Sequence, residues 1–349
     1  MNEDWLAFLK QAGARIVDGT VEGFGDAHAE AEAAANGTVL ADLSHFGLIL
    51  AQGADTASYL QNQVSNDVRE VSRTHSQLTA HCSPKGRILT GFRLFQRGDD
   101  YILRMPMETL APTLARLRKY ILMSKVTLED ISDKLIRFGV SGPDVTKDLE
   151  GALGAIPANV DEVTESAGTT IIRVASAPAR YEIYGEVEPM KALWEQLSAT
   201  ATPVGAGAWG LLDIHSGIPS IHSATVEAFV PQMVNLHLLN GVSFRKGCYP
   251  GQEVVARMQY LGKLKRRMYL AHVDSPERPQ PGDELCAPGE ESGQGTGKIV
   301  EAQLAPGGGY DLLAVLQIGA AEAGEVHLGS DEGPRLTLKP LPYSFEDQA

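Results

Sequence analysis

FRKGCYPGQEVVAR, from Phe244 to Arg257, sets one cysteine between two cations and the apparent start of a helix. Pro250 suits the first helical position, where its missing N–H is one that finds no partner anyway. Glu253 then falls in the first turn, where a carboxylate is favoured, with Arg257 as its i,i+4 partner. Gly262 supplies a stop. The spacing therefore predicts a helix over Pro250–Tyr260, with Cys248 just ahead of it. Helix N-termini and neighbouring cations lower a thiol pKa from about 8.5, at times into the range of roughly 3.5–7.5. Gly247 frees the adjoining backbone or admits a ligand. Arg245 and Lys246 are poor company for a buried structural cysteine, so the pattern favours a reactive or partner-facing thiol. A cysteine folded into a tight turn is the alternative.

Around this stretch the charge is uneven. Arg245–Arg267 carries seven basic residues against one acid, a local +6 that leaves −20 on the remainder of a chain with net charge −14. Such a body repels a phosphate backbone over most of its surface, so direct nucleic-acid binding is not expected. The island fits an anionic ligand or partner at one place, or a solvated strand bearing Lys and Arg stems. The 349 residues suit two or three domains, and 43% hydrophobic with 21% charged residues is ordinary for globular protein. The acidic opening MNEDWLAFLKQ lacks the features of a signal peptide, and no apolar run reaches the roughly 18 residues of a membrane span. A cytoplasmic location without membrane association is expected. Cys82, Cys248 and Cys286 form no C-x-x-C pair, which argues against a disulfide framework or a self-contained metal centre. Cys82 and Cys286 read as structural.

Coarse patterning gives an α+β fold rather than a doubly wound parallel one. Asp4–Ala12 reads as a short helix, the Gly- and Ala-rich GFGDAHAEAEAAANGTVL as irregular, and Asn36 of NGT as a turn. GADTASYLQNQV reads as a helix, and SQLTAHCSPKGRILTGFRLFQRGDDYILRM as a meander with turns at SPKG and RGDD. Strand-then-helix patterns recur in IRFGVSGPDVTKDLEGALGAI and YEIYGEVEPMKALWEQLSAT. Beyond Gly262, Gly/Pro clusters separate short apolar runs, which predicts a small all-β domain with a boundary near residue 260. GQGTGK at Gly293–Lys298 is no phosphate loop, since Ile299 stands where a Ser or Thr is needed; it reads as a hairpin turn. H-E-x-x-H and G-x-S-x-G are absent from the sequence, and no Rossmann-type G-x-G-x-x-G is read as following a strand.

KGCYPGQEVVAR resembles the K-G-C-Y-x-G-Q-E signature of YgfZ-type folate-binding proteins, relatives of the glycine-cleavage aminomethyltransferase. The likeness extends to AHCSPKGRILTGFRLF, RKYILMSKVTL, FVPQMVNL and PLPYSFED, covering about Val39 to Asp347. It implies two interleaved α+β domains ringing a cavity for tetrahydrofolate or a derivative, followed by a C-terminal β-barrel. The implied boundaries are 1–48 with 136–245, then 49–135, a signature segment 246–261, and the barrel 262–349. Phe46 and Trp209 match the two folate-associated aromatic positions. Phe46 replaces the family's usual Trp there, keeping a stacking face and losing an indole donor. Thr90 and Gly91 stand where the aminomethyltransferase has a paired acid, so the group expected to assist one-carbon transfer is missing.

The resemblance implies a folate-dependent accessory protein that assembles or repairs iron–sulfur clusters in client enzymes, including those that thiomethylate tRNA. Cys248 is the expected working thiol and Lys246 its bias toward thiolate. Arg245, Gly247, Tyr249, Gly251, Gln252, Glu253 and Arg257 are expected to support the turn and helix. Lys263, Lys265, Arg266 and Arg267 are candidates for a folate glutamate tail or an acidic partner, or for a solvated strand. No resident metal is expected. One alternative is a one-carbon transferase acting on a small amine; another is a folate-sensing module whose thiol is only structural.

Overall fold

Asn2 opens the chain's first helix, Glu3–Gln11, its side-chain oxygen accepting the Asp4 and Trp5 N–H groups at 3.1 Å each. The computed structural model describes residues 1–288 and 295–345. The chain divides into two compact units: Met1–Leu60, Val68–Gln77 and Phe92–Leu212 form one, and Gln61–Asp67, Leu78–Gly91 and Asp213 onward form the other.

In the first unit a six-stranded sheet runs in the order Val163–Ser166, Thr169–Val174, Arg180–Gly185, Ile136–Ser141, Val39–Asp42, Thr202–Val204. All its pairs are antiparallel except the last. Helices Glu3–Gln11, Val145–Leu153 and Val187–Leu197 supply apolar faces to one core, where Trp5 stacks on Phe138 and meets Trp194 edge-on. The Trp5 indole donates to Asp42 at 2.8 Å, satisfying the one polar atom that this ring brings into the core. A second group of antiparallel strands pairs Phe46–Gln52 with both Asp100–Pro106 and Thr127–Asp130. Both strand-then-helix patterns form as expected, and the architecture is α+β.

Two local expectations are overturned. The Ala-rich segment is a helix, Ala27–Asn36, because Asp26 caps it and alanine costs little to order. Buried Glu30 ties it down by accepting the N–H groups of Phe24, Gly25 and Gly205 at 2.6–2.8 Å. Asn36 accordingly ends that helix rather than making a turn, its amide donating to Glu32. The helix read from GADTASYLQNQV is short, Thr56–Gln61.

The second unit holds a curled six-stranded sheet in the order His327–Leu328, Glu284–Cys286, Gly297–Leu304, Tyr310–Gln317, Arg266–Val273, Leu336–Lys339. An isolated bridge joins His327 to Arg335, the residue just before the last strand. The all-β pattern expected beyond Gly262 is thus present, with one short helix, Ile318–Ala323, added. The turn read from GQGTGK lies partly outside the described residues, as do the last two residues of PLPYSFED.

Asp311 is buried at the centre of this sheet and accepts three charge-assisted bonds, from Lys339 Nζ at 2.6 Å, His215 Nε2 at 2.7 Å and His272 Nδ1 at 2.8 Å. Burial alone would raise its carboxyl, but the bonds from His215, Lys339 and His272 outweigh it and hold the group far below the usual range. A depressed folded-state value means stability that is present above the unfolded value of about 3.9 and is lost as pH falls through the folded one. Asp311→Asn is expected to cost about 2–3 kcal/mol at neutral pH and to flatten the acid limb of the stability curve. Urea melts between pH 3 and 7 measure both; an unchanged acid limb contradicts the assignment.

Candidate functional site

The thiol loop belongs to the second unit and is built from below. Lys246 is 6% exposed, and its ammonium donates to the backbone carbonyls of Gln61, Val64 and Asn66 at 2.7, 2.7 and 2.8 Å. An ammonium has three hydrogens, and here three carbonyls receive them. Gln61 ends the helix Thr56–Gln61, so its carbonyl is one of those left over at a helix C-terminus. The Lys246 charge also lies 5.2 Å from the centre of the Tyr249 ring, which is itself buried. Burial pushes the Tyr249 phenol well above its ordinary value, so it serves this loop as a neutral wall. Gln252 Nε2 donates back to the Lys246 carbonyl at 3.3 Å, closing the loop on itself.

Two glycines bring the sequence-distant segments SPKG and YPGQ together. Gly251 has φ +81°, and a Cβ there would lie 2.4 Å from the Ser83 carbonyl oxygen and 2.6 Å from Gly86 Cα. Gly86 has φ +70°, and a Cβ on it would lie 2.9 Å from Val254 Cβ. Neither position admits a side chain without moving backbone. The left-handed turn at Gly251 also delays the helix: it runs Gln252–Tyr260, two residues later than Pro250 would have started it. Arg257 carbonyl accepts from Leu261 and Gly262 at the far end, near the expected stop. The expected Glu253–Arg257 pair does not form among the described residues. Both side chains are exposed, and water competes for them.

Cys248 stands on this frame, exposed, at a surface pocket of about 440 Å³ bordered by Pro84, Tyr249, Gly251, Gln252 and Glu253. Arg245 and Gly247 beside it are exposed as well. Cys82 is fully buried and its thiol is pushed up to about 12 by burial, while Cys286 is partly covered and donates to the Gly329 carbonyl. Of the three cysteines, Cys248 alone is exposed. Further along, Lys263 and Lys265 are exposed, whereas Arg266 donates to the Gly295 carbonyl and Arg267 lies 4.8 Å over the Phe345 ring.

Phe46 and Trp209 lie in the first unit, in one apolar cluster with Val39, Ala41 and Leu212. Phe46 is 4% exposed and Trp209 fully buried, so both are core residues here. Each carries a guanidinium on its ring: Arg104 lies 4.1 Å from the Phe46 centroid and Arg180 lies 4.9 Å from that of Trp209. Gly139 makes room for the indole, since a Cβ on it would sit 2.2 Å from the ring. The Trp209 N–H is buried with no partner among the described residues.

Sequence reading did not find the charges behind these rings. Glu182 is buried and accepts from Arg104 at 2.8 Å and from the Tyr184 hydroxyl at 2.5 Å. Burial would raise the Glu182 carboxyl, but Arg104, Arg93, Tyr184 and Arg180 together bring it below the ordinary value. Arg93 is buried too, paired with Asp161 at 2.5 Å. The available signal was period-two charge in apolar strands: Arg180, Glu182 and Tyr184 share one face of Arg180–Gly185, and Arg93 pairs in register with Arg104. A folate needs acceptors for its amino-pyrimidine edge and cations for its carboxylates. A buried carboxylate and buried guanidinium groups are of those kinds, with Glu182 paired to Arg104 and Arg93 to Asp161, and the Trp209 indole adds a donor left over.

Residues 20–243 match the family model described as the GCVT N-terminal domain. A relative called tRNA-modifying protein YgfZ, from Pectobacterium atrosepticum, is 33% identical over 308 residues, spanning 88% of this chain and 92% of its own. The chain belongs to the YgfZ family. A second YgfZ protein, from Yersinia pseudotuberculosis, is 32% identical and covers 88% of this chain and 93% of its own. Among solved structures, glycine cleavage system aminomethyltransferase T from Bartonella henselae superposes with a TM-score of 0.73 at 16% identity. That match covers 98% of this YgfZ-family chain and 97% of the other, which establishes a shared fold. Among the described residues no helix is long and apolar enough to cross a membrane.

Proposed function

We propose that this protein is a tetrahydrofolate-binding accessory factor that assembles or repairs iron–sulfur clusters in client enzymes, including those that thiomethylate tRNA, and that it acts through Cys248. The observation that carries the reading is an exposed thiol mounted on a rigid frame: buried Lys246 holds the loop from beneath, and Gly251 and Gly86 lock it from the side. A thiol so placed suits transient ligation of a cluster iron. One cysteine per chain supplies one ligand, so the client provides the rest. Names of the relatives support a role in tRNA modification, and the −20 carried outside Arg245–Arg267 supports a route through an enzyme rather than through RNA itself. Lys246 is a positioning residue in this reading, and Arg245 adds a cation at the thiol's side.

Folate is assigned in this reading to the first unit, beside the two aromatic positions Phe46 and Trp209, whose rings are packed in the core, with the Glu182–Arg104 pair behind them. When bound, folate supplies or accepts a one-carbon unit. Two interleaved domains ringing the folate cavity, a closed C-terminal barrel, and divisions near residues 49, 136, 246 and 262 are the finer architecture that goes with this reading. The cytoplasm is the compartment it implies.

The test is Cys248→Ala at the native locus, with the thiomethylated tRNA nucleoside quantified by mass spectrometry beside wild type and a full deletion. We expect the substitution to fall to the level of the deletion. Wild-type levels in Cys248→Ala, with loss in the deletion, remove the thiol from the mechanism. Turnover of methylene-tetrahydrofolate on an amine that survives Cys248→Ala supports a transferase instead.

A further inference from the structure

The helix Gln252–Tyr260 buries Val255 completely and turns its other side to solvent. At about 100° per residue, positions 253, 254, 257, 260 and 261 fall within an arc of about 120°. All five are exposed, and three are large and apolar: Val254 at 38%, Tyr260 at 67% and Leu261 at 84%. Phe244 braces the Tyr260 ring edge-on at 6.1 Å, so the aromatic is held outward by packing. Arg257 sits in the middle of this strip, and Arg245, Lys263 and Lys265 add exposed cations at its two ends. Glu253 is the single acid between Arg245 and Arg267. A helix face of this kind normally packs against something.

We propose that this outward face docks an acidic, apolar-bearing segment of the client enzyme, bringing the client's cluster site to Cys248 at the N-terminal end of the same helix. The inference rests on the function proposed above and names the chemistry of its partner. Charge decides the class of segment, since four exposed cations meet one acid here while the rest of the chain is strongly acidic. The apolar strip decides between protein and RNA: phosphates would satisfy the cations yet leave Val254 and Leu261 uncovered, whereas a protein segment bearing Asp or Glu beside Leu or Phe covers both.

The experiment places a photo-crosslinking amino acid at Leu261 of the full-length protein in cells and identifies the adduct by mass spectrometry. We expect an adduct with an iron–sulfur enzyme, mapped to a segment rich in Asp and Glu. Its yield should fall roughly tenfold when Arg257, Lys263 and Lys265 are together replaced by Glu. An adduct with tRNA, with a second copy of this chain, or with nothing overturns the proposal, as does a yield indifferent to the charge reversal. Leu261→Glu in the same strain separates the two ideas. Loss of the thiomethylated nucleoside in Cys248→Ala but not in Leu261→Glu sinks the docking face and leaves the thiol standing. The acidic-segment adduct with no effect of Cys248→Ala sinks the thiol and leaves the face. All four positions are exposed, so a thermal melt within a degree or two of wild type is the expected control.

Discussion

Lys246→Met is expected to cost about 3–5 kcal/mol of stability, more than most surface or single-methylene changes in this chain. Methionine keeps the length and apolar bulk of the stem but removes three donors. The carbonyls of Gln61, Val64 and Asn66 converge on one point, and in the variant they face a thioether. Each buried acceptor left without a donor costs about 1–3 kcal/mol, and relaxation recovers part of the sum. The Tyr249 ring loses its cation as well. Lys246→Arg is not expected to rescue, because a planar fork cannot aim at three carbonyls gathered around a single nitrogen. Urea melts of the two variants provide the measurement; a Lys246→Met protein within about 1 kcal/mol of wild type contradicts the cradle. Comparing the alkylation rate of Cys248 in still-folded protein then shows how far the cradle sets the thiol's exposure.

Glu182→Leu is expected to be of similar size, about 3–5 kcal/mol, for a different reason. Here the loss is a buried counter-charge: Arg104 keeps its guanidinium over Phe46 with nothing opposite, and Arg93 and Arg180 lose the same neighbour. Adding Arg104→Met should recover part of the loss, since an apolar pair of similar volume tolerates burial better than half an ion pair. Recovery should be incomplete because Arg93 and Arg180 also lean on that carboxylate. Glu182 has a lowered folded-state pKa, so its contribution is present above the unfolded value of about 4.3 and fades as pH drops through the folded one. Wild type and Glu182→Leu should therefore converge in stability on acidification. Divergence contradicts the charge argument.

Legibility in the sequence tracked distance along the chain. The helix after Cys248, its stop near Gly262 and the thiol's exposure came from residues within a few positions of one another, where propensity and capping act. Even there the start was misplaced by two residues, because Gly251 takes a left-handed turn that packs it against Ser83 and Gly86, about 165 positions earlier. The Lys246 cradle was invisible for the same reason: its three acceptors are backbone carbonyls some 180 residues away, and any residue type carries a carbonyl. Glu182 and its arginines could be placed on strand faces by alternation, yet which strands pair decides which charges meet. The Ala27–Asn36 helix was missed because flanking glycines outweighed an aspartate cap that reads clearly once seen.

The span that hid the cradle also orders events during synthesis. Gln61, Val64 and Asn66 leave the ribosome long before Lys246, so on a nascent chain their carbonyls stay with water. The segment settles only when about seventy per cent of the protein has been made. Until then the mount for the thiol does not exist. A chain interrupted anywhere before Lys246 carries neither Cys248 nor the ammonium that gathers the three carbonyls, so the frame around Cys248 forms only after that lysine has been made.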